Sequence, residues 1–151
     1  MRLAIQAILA VAVVALSYLL FRTLTDPQKE YERLLAIQAQ SRERMSDVRT
    51  AMTAFERQEG RYLKSLDSLV LFVKSDSAYR ATSWEAFEGE TRVRPFSADS
   101  MIYSPRTGER FELAVQDTSD VNMYVLRDPA SADSIGALEP IPTLRNAASW
   151  E

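Results

Sequence analysis

The chain has 151 residues, no cysteine, no histidine and a net charge of −3, with an apolar N-terminal stretch and a charged remainder. The missing residue types exclude disulfides, thiolate nucleophiles, Cys/His zinc sites, a Ser-His-Asp triad and imidazole proton transfer near neutral pH. All 21 acidic residues follow the apolar stretch, as do all of the 18 basic ones except Arg2, so there is no basic excess of the kind that binds nucleic acid.

Residues Leu3 to Phe21 read LAIQAILAVAVVALSYLLF, with only Gln6 and Ser17 notably polar and no charge. At 1.5 Å per helical residue this run spans roughly 30 Å, the thickness of a hydrocarbon core. Leu3, Ile5, Ile8, Leu9, Val11, Val13, Val14, Leu16, Leu19, Leu20 and Phe21 are the side chains expected to meet membrane lipid. Tyr18 and Phe21 lie where an interfacial aromatic belt forms, and Arg2 and Arg22 bracket the span. A cleaved signal peptide is the competing reading, with Ala10, Ala12 and Ala15 as small residues near a cleavage point. The apolar run continues unbroken to Phe21, which favours a retained single-pass anchor over residues 1–25. Small residues at Ala4, Ala7, Ala10, Ala12 and Ala15 would let another membrane helix approach. Arg22, Lys29 and Arg33 after the span outnumber Arg2 before it, a count that opposes export, but Asp26, Glu30 and Glu32 accompany them, and the soluble part is expected outside the cytoplasm.

Thr25 or Asp26 can cap a second helix with Pro27 at its first position. Residues 28–59 contain neither Gly nor Pro and are rich in helix formers. Tyr31, Leu34, Gln38, Ser41, Met45, Val48, Met52 and Phe55 form a heptad-like stripe. Its polar middle, Gln38 and Ser41, predicts a solvated stretch. Met45, Val48, Met52 and Phe55 predict a face buried in a domain core, in preference to an oligomer seam. Gly60 stops this helix at the left-handed cap position, and Tyr62 follows in the turn. Ser65 caps a short helix with Leu66, Leu69, Val70 and Val73 on one side, and residues 75–83 read as a polar loop.

Beyond Trp84 the period changes to that of strands. Thr91 to Arg94 alternates, Met101 to Tyr103 is a short apolar run, and Arg110 to Val115 alternates again. Pro105 to Gly108 and Asp117 to Asp120 read as turns, and Val121 to Leu126 as a further strand. Residues 129–151 hold three of the six prolines and few large apolar side chains, so this segment is expected to be extended and partly disordered. The organisation is an anchor (1–25), a long amphipathic helix (26–60), a small α+β unit (61–128) and a tail (129–151). The fold class is α+β, with the long helix packed on a small antiparallel sheet.

The candidate chemistry is sparse. Asp117-Thr118-Ser119-Asp120 offers oxygens to calcium but reads better as a polar turn. Glu85, Glu88 and Glu90 read as a solvated cluster, with no pocket signature for paired carboxylates. Trp84 and Trp150 are core or edge residues, or exposed aromatic contacts for a partner. No catalytic, cofactor-binding or metal-binding set stands out, and the chain is expected to be non-enzymatic.

The stretch from Met52 to Leu69, with Phe55, Gly60, Tyr62, Ser65 and Leu66, resembles type IV pilins and type II secretion pseudopilins. In that family an N-terminal apolar helix runs into an amphipathic helix that ends at a Gly and an aromatic, followed by a short helix and a small sheet. Ser46 to Phe55, Gly60-Arg61-Tyr62, Met101 to Pro105 and the span from Gly136 to Trp150 are similar to a group of short single-span proteins of the Bacteroidetes lineage. The pattern departs at the processing site: no Gly precedes Gly60 and no acid precedes Asp26, so prepilin cleavage is not expected. The resemblance implies a pilin-like fold and a structural or assembly role in a complex of the bacterial cell envelope. It implies protein partners there, with homo-oligomers among the options. The alternative is an accessory single-span subunit of a larger inner-membrane complex, secretory or respiratory, with no filament role.

Overall fold

The structure is a computed structural model that describes residues 1–75, 95–117 and 122–151, with backbone alone at 24–27. It contains helix α1 (Arg2–Glu59), helix α2 (Leu66–Ser75), strands β1 (Glu112–Asp117), β2 (Asn122–Arg127) and β3 (Ser134–Gly136), and a 3-10 turn at Pro142–Leu144. The fold is therefore α+β, a long N-terminal helix with a small antiparallel sheet of order β1-β2-β3. The chain forms two compact units, Met1–Ala36 and Ile37–Glu151. The expected strand at Thr91 to Arg94 and most of the loop at 75–83 lie outside the described residues.

Helix α1 corrects the expectation of two helices separated at Asp26-Pro27. Its 58 residues run from Arg2 to Glu59 without a break. Pro27 removes one backbone donor from the ladder, but helix formers and no glycine flank it on both sides, so one lost bond does not end the helix. The helix stops at Glu59. Gly60 adopts φ +70°, and its N–H donates to the Glu56 carbonyl at 2.8 Å. The Ser65 hydroxyl then accepts from the Asp67 N–H at 3.2 Å at the start of α2.

In the second unit, Met45, Val48, Ala51 and Met52 of α1 are fully buried. They join Leu66, Leu69, Val70 and Val73 of α2 and Tyr124, Leu126 and Ile135 of the sheet in one core. Each large apolar side chain withdrawn from water there contributes about 2 kcal/mol. The register explains which sheet face supplies them. Leu113 pairs with Leu126, Val115 with Tyr124, and Leu126 with Ile135, so all five side chains share one face.

Met101 and Ile102 are buried as expected of a strand, but they lie in turns. Only Tyr103 makes a bridge, to Arg110, because the Pro105 to Gly108 turn closes the chain too soon for a ladder.

Two further expectations are corrected together. Ser41 is fully buried rather than solvated, and residues 129–151 pack instead of trailing free. The Ser41 hydroxyl donates to Asp128 Oδ2 at 2.6 Å, and the Ala130 N–H donates to Asp128 Oδ1 at 3.0 Å. Arg42 forms a two-pronged pair with Asp133, at 3.1 and 3.0 Å. Ile135 and Ala148 are buried opposite one another, and Trp150 packs on the core with the Arg42 guanidinium 5.2 Å from its ring centre. The segment is ordered by a few apolar contacts and by polar partners on α1. Asp128→Ala leaves the Ser41 hydroxyl buried and unmatched, and is expected to lower stability by about 2 kcal/mol in urea unfolding of the detergent-solubilised protein. An unchanged midpoint would show that the contact does not hold the segment.

Candidate membrane anchor and interaction surface

In the first unit the apolar residues of α1 lie on the surface of one helix. Leu3, Ile5, Ile8, Leu9, Val11, Val13, Val14, Leu16, Leu19, Leu20 and Phe21 are each more than half exposed. This is one helix long and apolar enough to span a membrane, near the N-terminus. The backbone satisfies itself within the helix, as hydrocarbon requires. Thr23, close to the end of the apolar run, turns its hydroxyl back to the Leu19 carbonyl at 2.8 Å, so this polar group too is matched internally. Further along, Tyr31, Leu34 and Leu35 remain 64%, 49% and 46% exposed.

In the second unit, Met45, Val48 and Met52 are fully buried, whereas Phe55 is half-buried at the edge of the core. The Phe55 ring meets that of Phe72 edge-on at 5.1 Å, with the Arg61 guanidinium 5.9 Å from it. The Gly60 carbonyl accepts from Asn122 Nδ2 at 2.6 Å, which ties the helix stop to the start of β2. Tyr62 packs edge-on against Tyr124 at 4.8 Å, and its hydroxyl accepts from Arg145 Nε at 2.9 Å.

Arg145 was not visible as a site residue in the sequence, yet it organises this corner. Its Nη2 donates to Glu56 Oε1 at 2.7 Å, so one guanidinium joins α1, the turn after it and the 3-10 region. Arg49 makes a second tie, from Nη1 to the Asn146 carbonyl at 3.2 Å and to both carboxylate oxygens of Glu151 at 3.0 and 3.1 Å. These partners lie 83 to 102 residues apart in sequence, and no spacing pattern announces them.

Burial raises the pKa of Tyr124 far above its ordinary value of 10, and neighbouring Tyr62 adds to this while Arg49 and Arg145 oppose it. Burial raises Tyr62 as well, against the pull of Arg145. Folding thus favours the protonated phenols. The stability this gives is complete below pH 10, and it is lost as pH rises past 10, where the unfolded chain ionises first. Tyr124, the more strongly shifted, steepens that loss by up to about 1.4 kcal/mol per pH unit. Among the described residues the buried Tyr124 hydroxyl has no hydrogen-bond partner. Tyr124→Phe is therefore expected to raise stability at pH 7 by about 1 kcal/mol and to flatten the alkaline decline. Chemical unfolding at pH 7, 10 and 11 reads both effects, and a destabilised variant with an unaltered pH slope would contradict them.

Two concave places of the second unit carry polar side chains beside apolar surface. A cleft of about 240 Å³ lies against Gln40, Arg44, Asp47, Ser97 and Ser100. A second hollow is bordered by Glu112, Arg127, Asp128 and Asp133. There Asp128 accepts from Ser41 and Ala130, and Asp133 accepts from Arg42. Among the described residues no group of three acidic side chains is placed to hold a metal ion. Asp117 is exposed, with Lys64 Nζ at 4.0 Å. Residues 118–120 of the candidate calcium loop, Trp84, and Glu85, Glu88 and Glu90 lie outside the described residues. Comparison with protein-family models, with curated proteins and with solved structures finds no match for this chain.

Proposed function

We propose that this protein is a non-enzymatic, pseudopilin-like structural or assembly component of a cell-envelope complex, anchored by a single pass in the bacterial inner membrane with its folded unit on the periplasmic side. The observation that carries the reading is the bare apolar surface of α1 from Leu3 to Phe21, on a helix that goes on to supply Met45, Val48 and Met52 to the core of the second unit. Lipid is the solvent for which that first surface is built. The helix stop at Gly60, the short helix after it and the small antiparallel sheet support the pilin-like resemblance. The role is geometric. The anchor sets the protein's place and the second unit presents a folded surface to protein partners.

Affinity capture of the intact chain from solubilised membranes tests the role. The proposal expects envelope proteins to be retained at fixed stoichiometry. A chain that is recovered alone at every detergent and salt condition, while still membrane-bound, would overturn it.

A further inference from the structure

One stripe of the N-terminal helix has the wrong polarity for both solvents it meets. Gln6 and Ser17 are the notably polar residues of the apolar run, and both are exposed on the helix surface. At about 100° per residue they stand about 20° apart around the axis. Ala10 and Val13 fall within about 40° of Gln6 by the same geometry. Beyond Arg22, Tyr31 and Leu35 return to within about 20° of Gln6, and they are 64% and 46% exposed. In a bilayer the stripe therefore turns an amide and a hydroxyl toward hydrocarbon, and then an aromatic ring and a leucine toward water. Unpaired polar groups in hydrocarbon are costly, and so is apolar surface in water. Charge avoids this side of the helix. Arg22, Lys29, Glu30, Glu32 and Arg33 all lie about 80° or more away from Gln6. Arg2 sits at the start of the stripe, where its side chain reaches headgroups.

We propose that this stripe is the interface of a parallel homodimer in which Gln6 and Ser17 each meet their counterpart in a second copy. The proposal rests on the membrane-anchor reading above. The occupant follows from the chemistry of the stripe. Gln and Ser each carry a donor and an acceptor, so each can pair with itself across a twofold axis. A common anchor holds neighbouring copies parallel and at equal depth, which places residue 6 opposite 6 and 31 opposite 31. The small side chain at Ala10 allows the backbones to approach. The absence of charge between Gln6 and Leu35 on this face removes the like-charge repulsion that two identical surfaces would otherwise suffer. Covering the stripe satisfies the polar pairs inside the bilayer and buries Tyr31 and Leu35 outside it.

The chain has no cysteine, so single engineered thiols report contacts without background. The full-length protein carrying Ala10→Cys, Val13→Cys, Ala4→Cys or Ala15→Cys is reconstituted in phosphatidylethanolamine–phosphatidylglycerol vesicles and oxidised. Ala4 and Ala15 lie on the opposite side of the helix, at about 160° and 180° from Gln6. The expected result is a disulfide-linked dimer at positions 10 and 13, at least fivefold above positions 4 and 15. Adding Gln6→Leu and Ser17→Ala is expected to lower it about fivefold. Equal cross-linking at all four positions, or none at any, would overturn the homodimer. So would cross-linking indifferent to Gln6 and Ser17. A carbonate wash of the same vesicles separates the two failures. Protein that stays in the pellet without dimer retains its anchor, whereas protein released into the wash has none.

Discussion

Arginine at both Val11 and Val14 is expected to remove the protein from the membrane. Both side chains are 70% exposed near the middle of the apolar run, so most of their surface meets whatever surrounds the helix. A central arginine disfavours insertion by about 3 kcal/mol, and each lost valine forfeits a few tenths more. Together the two changes oppose insertion by about 6–7 kcal/mol, which is more than snorkelling from mid-span can recover. The core of the second unit does not contain either residue, so its folding is expected to be untouched. Fractionation of cells expressing the double variant reads the outcome. A protein still found wholly in the membrane pellet would mean that Leu3 to Phe21 is not what holds it there.

The second large effect is expected at Gly136. This residue has φ +78°, a conformation that side chains bearing a Cβ resist. It also pairs with Val125 in the sheet, and an added Cβ would fall far inside contact distance of the Tyr124 carbonyl and at 3.1 Å from that of Arg145. Both obstacles are backbone, so neither can swing aside as a side chain would. Gly136→Ala is expected to cost about 3 kcal/mol or more, through left-handed strain together with displacement of β3. That is a large share of a domain stability of about 5–15 kcal/mol. Gly60 provides the control. It has φ +70° but open space around its missing Cβ, so Gly60→Ala is expected to cost only about 1 kcal/mol. Urea unfolding of the two variants measures the difference, and equal midpoints would contradict it.

Gly136 lies in a segment whose composition reads as partly disordered, whereas the hairpin before it was readable in the sequence. The hairpin β1–β2 followed from local alternation at Arg110 to Val115 and Val121 to Leu126, and the strands lie within two residues of those runs. The α+β order followed from the switch between helical and strand periods. What escaped was long-range and polar. Ser41 interrupts an apolar stripe and so resembled a solvated position, but its partner Asp128 lies 87 residues away. Arg42 finds Asp133 at a separation of 91, and Arg145 finds Glu56 at 89. Composition made 129–151 look disordered because its burial rests on Ile135, Ala148 and Trp150 and on ion pairs with α1. Pro27 misled for the opposite reason, since a strong local rule yielded to the helix propensity on either side.

The central claim is that the N-terminal part of α1 lives in lipid. Alkaline carbonate extraction of membranes containing the unaltered protein tests it most directly. The protein is expected to stay in the pellet after washing and to be released only by detergent. Recovery in the carbonate supernatant, with the N-terminal residues intact, would contradict it.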